Sequence, residues 1–237
     1  NNASLRGFDV PNDFKLNEFY SPSNRTNDIY LNESEINKIY NKKFSFDYLD
    51  NARDWFIIGL RTGLRISDFL DLTSENIRDE FIKTVTKKTD TKLSIPLHKQ
   101  LKEILKKRNG EFPRKISDQR FNDYIKEVCR TVEINEMVEG AKKCETIVKD
   151  ENGKDKKIYR KKFGKYPKYE LVSSHICRRS FATNLYGKKD TLLIMRITGH
   201  KSEKQFLNYI KTTPQEYEEK LKNFWSSWTI QNIISIK

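Results

Sequence analysis

"SSHICRRSFATNLYGKKDTLLIMRITGHKSEKQFLNYI", residues 173–210, holds two of the chain's three histidines, an adjacent pair of arginines and a tyrosine near its end. Its spacing predicts a helix on which His175 and Arg178, three apart, share a face and address one ligand together, while Arg179 points elsewhere. Phe181, Ala182 and Leu185 form the apolar side that pins this helix to a core. A glycine turn bearing His200 follows. Ser202 and Gln205 then open a second helix in the manner of a capping box, with Phe206, Leu207 and Ile210 as its apolar residues. Tyr209 lies on that helix, nine residues beyond His200. Taken alone, an HxxR pair is more often a solvent-facing pair, and one of eleven tyrosines is ordinarily a packing aromatic.

Working outward, "NESEINKIY" offers Asn32 as N-cap with Glu35 three residues on, opening a helix that carries Ile36, Ile39 and Tyr40. A second helix is predicted over about 47–61, burying Trp55, Ile58 and Leu60. "RTGLRISDFLDLTSENI" places Gly63 at its end and restarts a short helix with Ile66, Phe69 and Leu70. "FIKTVTKKTDTKLSIPL" then alternates and is rich in Thr, Ile and Val, as a hairpin or small antiparallel sheet requires. Helices follow near 98–108 and 117–130, with His98 a surface or capping residue. The fold class expected is α+β, mainly α: a helical domain with a small antiparallel sheet.

The formal charge is +13 with a pI near 9.5, which favours a polyanionic partner, nucleic acid before an anionic membrane surface. The longest apolar run, Trp55–Leu60, is far short of a membrane span. Cys129, Cys144 and Cys177 are odd in number and widely separated, so neither a disulfide framework nor a zinc site is suggested, and a reducing cytoplasm fits. Residues 142–168 carry eleven Lys or Arg against four Asp or Glu. Asn152-Gly153 is a type I′ turn signal between two short β-prone runs there, so a protruding basic hairpin is expected, the alternative being a solvated charge run. Lys156, Lys157, Arg160, Lys161 and Lys162, with Arg179, are its candidate DNA contacts.

TGLR (62–65), a lysine on the following β-turn, HxxR (175–178), GH (199–200) and a tyrosine nine residues later occur in that order. This arrangement over 31–237 resembles the catalytic domain of the tyrosine recombinases, or phage-type integrases. "HICRRSFATNL" and "ITGHKSEKQFLNYI" look most like integrases of mobile elements in Bacteroidetes-type bacteria. The resemblance implies the DNA breaking-rejoining fold. It makes Arg65 and Arg178 the catalytic arginines, His175 the histidine between them, Tyr209 the nucleophile, His200 a donor to the phosphate and Asp68 an acidic residue that orients Arg65 or His175. Lys88 has the family's distance to the Ile-Pro-Leu that closes the β-turn, with Lys87 and Lys92 near enough to compete. Residues 1–30 read as a linker or the tail of an N-terminal core-binding domain, and the opening Asn1 suggests a portion of something longer.

The chemistry suits those residue types. A phosphodiester's transition state gathers charge on its oxygens, and preorganised guanidiniums donate to them in forks. A phenol of pKa about 10 must lose its proton during attack, to His175 or under the arginines' field. A lysine on a mobile turn can protonate the departing 5′ oxygen. The resemblance implies no ATP, metal or other cofactor, and neither a P-loop nor a carboxylate cluster for two magnesium ions is visible. Double-stranded DNA is the expected partner, with a homotetramer assembling on it, in a bacterial cytoplasm or on its nucleoid. Leu221, Phe224, Trp225 and Trp228 form an apolar stripe on a predicted C-terminal helix that either covers its own core or docks on a neighbouring copy. The alternatives are a type IB topoisomerase, a non-catalytic DNA-binding module on the same fold, or an unrelated polyanion binder.

Overall fold

The structure, a computed structural model, describes residues 6–7, 29–149, 155–210, 218, 221–222 and 225. Helix α1 (Glu33–Asn41) starts as its capping signal predicts: the Asn32 side chain accepts from the Glu35 N–H at 2.9 Å, and the Glu35 carboxylate accepts from the Asn32 N–H at 2.8 Å. Two of the four orphan donors of the first turn are thereby satisfied. Leu31, just before, is fully buried and its N–H donates to Ser180 Oγ at 2.9 Å. Most of the N-terminal stretch expected to be a linker or tail, residues 8–28, lies outside the described residues.

Helix α2 (Asp47–Thr62) is the spine of the core, burying Trp55, Phe56, Ile57, Ile58 and Leu60. Each such side chain stabilises by roughly 1.5–3 kcal/mol relative to exposure. The helix ends at Gly63, whose φ of 65° is left-handed and whose N–H donates to Gly59 O at 3.0 Å. A Cβ at Gly63 would come within 2.5 Å of the Phe181 ring, so a glycine is needed for both backbone and space.

Helix α3 (Ile66–Phe69) and a 3₁₀ turn (Ser74–Asn76) lead into β1 (Ile77–Arg78), β2 (Phe81–Val85) and β3 (Lys92–Pro96), an antiparallel sheet in the order β1-β2-β3. The expected alternation holds. Ile82 pairs with Ile95 and Thr84 with Leu93, placing Ile82, Leu93 and Ile95 on the core side, while Lys83 and Val85 face out. Helices α4 (Lys99–Lys107) and α5 (Asp118–Thr131) follow. The Nδ1 of His98 accepts from the Gln100 N–H at 3.2 Å, which makes it the capping residue expected.

The basic segment forms an antiparallel pair, β4 (Met137–Lys149) and β5 (Asp155–Pro167), but a longer one than its short β-prone runs suggest. Its register opposes Lys142 to Lys162 and Lys143 to Lys161. Like charges directly opposite are destabilising, so local propensity gives little warning of this pairing. The base of the arm is anchored through helix α6 (Lys168–Leu171): the Lys168 N–H donates to Glu136 O at 2.8 Å, its Nζ meets Glu35 at 2.7 Å, and Lys142 pairs with Glu170 at 2.7 Å. Asn152-Gly153 lies outside the described residues.

Helices α7 (His175–Leu185), α8 (Thr191–Thr198) and α9 (Glu203–Tyr209) close the domain. Phe181, Ala182, Ile194, Met195 and Phe206 form a second small core, with Leu185, Tyr209 and Ile210 packed on it. Leu207, expected on the apolar side of α9, is instead 44% exposed; the seven-residue helix buries Phe206 alone. Of the C-terminal stripe, Leu221 and Trp225 are helical and exposed, whereas Phe224 and Trp228 lie outside the described residues. Cys129 and Cys177 are buried, Cys144 is half-buried and all three are free thiols. Among the described residues no helix is long and apolar enough to cross a membrane.

Candidate active site

Arg178 sits on the buried side of α7 and is 4% exposed. Its Nε donates to Gly63 O at 2.9 Å and its Nη1 to Thr198 O, so one guanidinium caps the C-terminal ends of both α2 and α8. Its Nη2 is buried without a hydrogen-bond partner among the described residues, and so is Nη1 of Arg65. Arg65 arrives beside it because Gly63 turns the chain and Arg65 becomes the N-cap of α3. The meeting point is Gly199, with φ of 64°: a Cβ there would lie 3.4 Å from Arg65 Nη2 and 3.8 Å from Arg178 Nη1. Burial first, and the Arg65 charge second, bring the Arg178 pKa down to about 10, opposed by Tyr209 and Asp68. Two adjacent cations, Arg178 buried and Arg65 half-buried, with unspent N–H donors make a costly arrangement that an anion relieves.

Tyr209, at the end of α9, is half-buried and close enough to Arg178 to act on its charge. Its ring centroid lies 4.7 Å from that of His200 and 5.6 Å from that of His175, the latter edge-on. Its hydroxyl reaches the His175 carbonyl at 3.5 Å. Arg179, expected to point away from the face that His175 and Arg178 share, instead lies against Tyr209. It is 9% exposed, its guanidinium lies 5.0 Å over the Tyr209 ring, and its Nη1 donates to Ile29 O at 3.3 Å. His200 is held by a bond between its Nδ1 and Thr198 Oγ1 at 2.8 Å; burial, then Arg178, Arg65 and His175, lowers its pKa.

Asp68 is 4% exposed; one carboxylate oxygen accepts the Lys87 N–H at 3.1 Å, tying the β2–β3 turn to α3. Asp71, which sequence reasoning passed over, takes the side chains of Lys87 and Lys115 together, and the hydrogen bond to Asp71 raises the Lys87 pKa. Lys88 beside it is exposed, with no hydrogen bond or ion pair among the described residues, and Lys92 is exposed on β3. Thr198 was likewise passed over, whereas Gly199 entered the sequence reading only as the glycine of the GH pair (199–200). Lys156, Lys157, Arg160, Lys161 and Lys162 all lie on β5, but alternation splits them. Lys157 and Lys161 share a face with the exposed Tyr159 and Phe163, and Lys157 also pairs with Glu145 at 2.8 Å. Arg160 and Lys162 belong to the opposite face, and the Lys156 side chain lies outside what the structure describes. Among the described residues no three His, Cys, Asp or Glu side chains converge as metal ligands.

Solved structures share this arrangement of elements. The chain superposes on XerA recombinase with a TM-score of 0.57 at 14% identity, covering 94% of this chain and 71% of that one. It superposes on a lambda integrase dimer bound to a COC′ core site with a TM-score of 0.59 at 18% identity, covering 91% and 70%. For XerH site-specific recombinase in a post-cleavage complex with palindromic difH substrate the TM-score is 0.56 at 18% identity, covering 87% of this chain and 55% of that one. At these identities the likeness is one of fold. The chain matches no curated protein sequence. The family model described as "Phage integrase family" matches residues 30–216, most of the chain, and with it the chain belongs to the phage integrase family.

Proposed function

We propose that this integrase-family chain is a site-specific DNA recombinase that cuts one strand through Tyr209 and rejoins it to another. The observation that carries the reading is the guanidinium pair of the buried Arg178 and the half-buried Arg65, presenting unspent, buried donors around Gly199 close to Tyr209. The scissile phosphate takes those donors through its nonbridging oxygens, and their charge is worth most where water is excluded. Tyr209 Oη attacks phosphorus, its proton leaves, the bond from phosphorus to the 5′ oxygen breaks, and that oxygen takes a proton from Lys88. The product is a 3′-phosphotyrosine that the 5′ hydroxyl of a second strand resolves, needing no external energy source. Asp68 holds the Lys88-bearing turn against α3 through the Lys87 N–H. Lys88 is favoured over Lys87, whose ammonium is engaged by Asp71. Arg179, under the Tyr209 ring, favours its negative charge.

The partner is double-stranded DNA, gripped in part by the cationic β4–β5 arm. Assembly as a tetramer on DNA draws support from a lambda integrase structure described as a tetramer bound to a Holliday junction, and from the exposed Leu221 and Trp225 beyond the nucleophile. The test uses a library of nicked duplexes with a randomised core, in which cleavage releases a short fragment and traps the enzyme. A recombinase gives a covalent adduct on a denaturing gel and joins an added 5′-hydroxyl strand from a second duplex. A strand-relaxing topoisomerase forms the adduct but reseals only its own strand, and an inactive binder forms none.

A further inference from the structure

The hydrogen bonds around Thr198 fix a proton that the family resemblance leaves open, and the consequence reverses the role expected for His200. Thr198 is 1% exposed, and its Oγ1 has one proton to give. That oxygen lies 2.7 Å from Ile194 O and 2.8 Å from His200 Nδ1. A carbonyl cannot donate, so at 2.7 Å the threonine proton belongs to the Ile194 bond, the usual back-bond of a helical threonine. The second contact is then a hydrogen bond only if His200 Nδ1 carries the proton and Thr198 Oγ1 accepts it. The imidazole faces Arg65 from the head of α3 and His175 and Arg178 from α7, with Tyr209 of α9 against its ring and Arg179 beyond that ring; Asp68 acts on Arg178. Burial among these cations disfavours a second proton on the resting ring, and the negative charge of a bound phosphodiester offsets those cations when the ring takes a proton during attack. A neutral imidazole protonated at Nδ1 has a lone pair at Nε2, on the edge turned away from Thr198.

We propose that Thr198 is a positioning residue that holds His200 in the Nδ1–H tautomer, so that Nε2 accepts the Tyr209 proton during cleavage instead of donating a hydrogen bond to the phosphate. In this step the Oη–H bond of Tyr209 breaks, its proton passes to Nε2, and the oxygen's electron pair forms the bond to phosphorus. The imidazolium keeps its Nδ1–H on Thr198. The inference rests on Tyr209 being the nucleophile.

With only three histidines in the chain, the test is direct. The full chain is labelled with ¹⁵N-histidine, the His200 signals are assigned as those lost in His200→Gln, and two-bond ¹H–¹⁵N correlations at neutral pH report the tautomer. A protonated Nδ1 with a bare Nε2 is expected. Thr198→Val, which removes the acceptor, is expected to shift His200 toward the Nε2–H tautomer and slow single-turnover adduct formation roughly 10-fold at unchanged DNA affinity, one hydrogen bond being worth about a decade. Thr198→Ser is expected to restore both. An Nε2–H tautomer in the unmodified protein overturns the inference, and so does a Thr198→Val protein that cleaves at full rate. An adduct that survives Tyr209→Phe instead removes the nucleophile assignment, while the tautomer measurement stands.

Discussion

Arg178→Lys separates the two tasks that the second arginine performs. The charge survives, but the fork that binds Gly63 O and Thr198 O at once does not, because a lysine reaches one point. A hydrogen bond from a charged group contributes about 1.5–3 kcal/mol, and a carbonyl left buried adds to the loss, so the variant should be about 2–3 kcal/mol less stable. For a domain of this size that is a fall in melting temperature of roughly 4–12 °C. The cost to cleavage is separate: Nη2, the donor not used in structure, has no counterpart in lysine, and removing one such donor costs about 10²–10³ in rate. Urea unfolding with an unchanged slope measures the first quantity, and single-turnover adduct formation at a temperature where the variant is folded measures the second. Equal stability to the parent would refute the double capping, and a cleavage rate within about 3-fold of the parent would refute phosphate binding by Arg178.

Lys88→Ala should slow cleavage, and a duplex with a 5′-thiolate leaving group should restore the rate because it departs without a proton; Lys87→Ala should show no such rescue, its ammonium being held by Asp71. The pKa values of His98 and His200 are both lowered, chiefly by burial, so below about pH 6.5 the unfolded chain takes up protons that the folded chain resists. Stability should therefore fall as pH drops from about 6.5 through the folded-state values, and His98→Gln with His200→Gln should flatten that fall in melting curves recorded from pH 7.5 to 5. Replacing Lys157 and Lys161, which share a face of the arm, by Gln should weaken DNA binding across sequences; in salt titrations it should reduce the log–log slope by up to about 0.9 per lysine that meets a phosphate. An unchanged slope would detach that face from the DNA.

What the sequence made legible was mostly what local rules control. Asn32 with Glu35, the helix stop at Gly63, the sheet alternation from Phe81 to Pro96 and the cap at His98 each depend on neighbours within a few residues. The length of the β4–β5 arm was not legible, since its register sets lysine against lysine and its anchors, Glu35 and Glu170, lie elsewhere in the chain or at its base. Arg179 was misjudged although the signal was present: it stands four residues from His175, and positions three and four apart both neighbour a helical residue. Its burial depends on Tyr209 and on Ile29, contacts across 30 and 150 residues that periodicity does not encode. For the same reason nothing in the sequence singles out Thr198, its meaning emerging only once Ile194 O and His200 Nδ1 are both seen beside it.

The chemistry turns on one phenol oxygen. Digestion of the trapped protein–DNA adduct and mass spectrometry of the linked peptide locates the covalent bond directly. The phosphate is expected on Tyr209, with no adduct from Tyr209→Phe, a variant expected to fold and bind DNA as the parent does because it loses one hydroxyl, which lies 3.5 Å from the His175 carbonyl. A phosphate found on any other side chain, or an adduct formed by Tyr209→Phe, would contradict it.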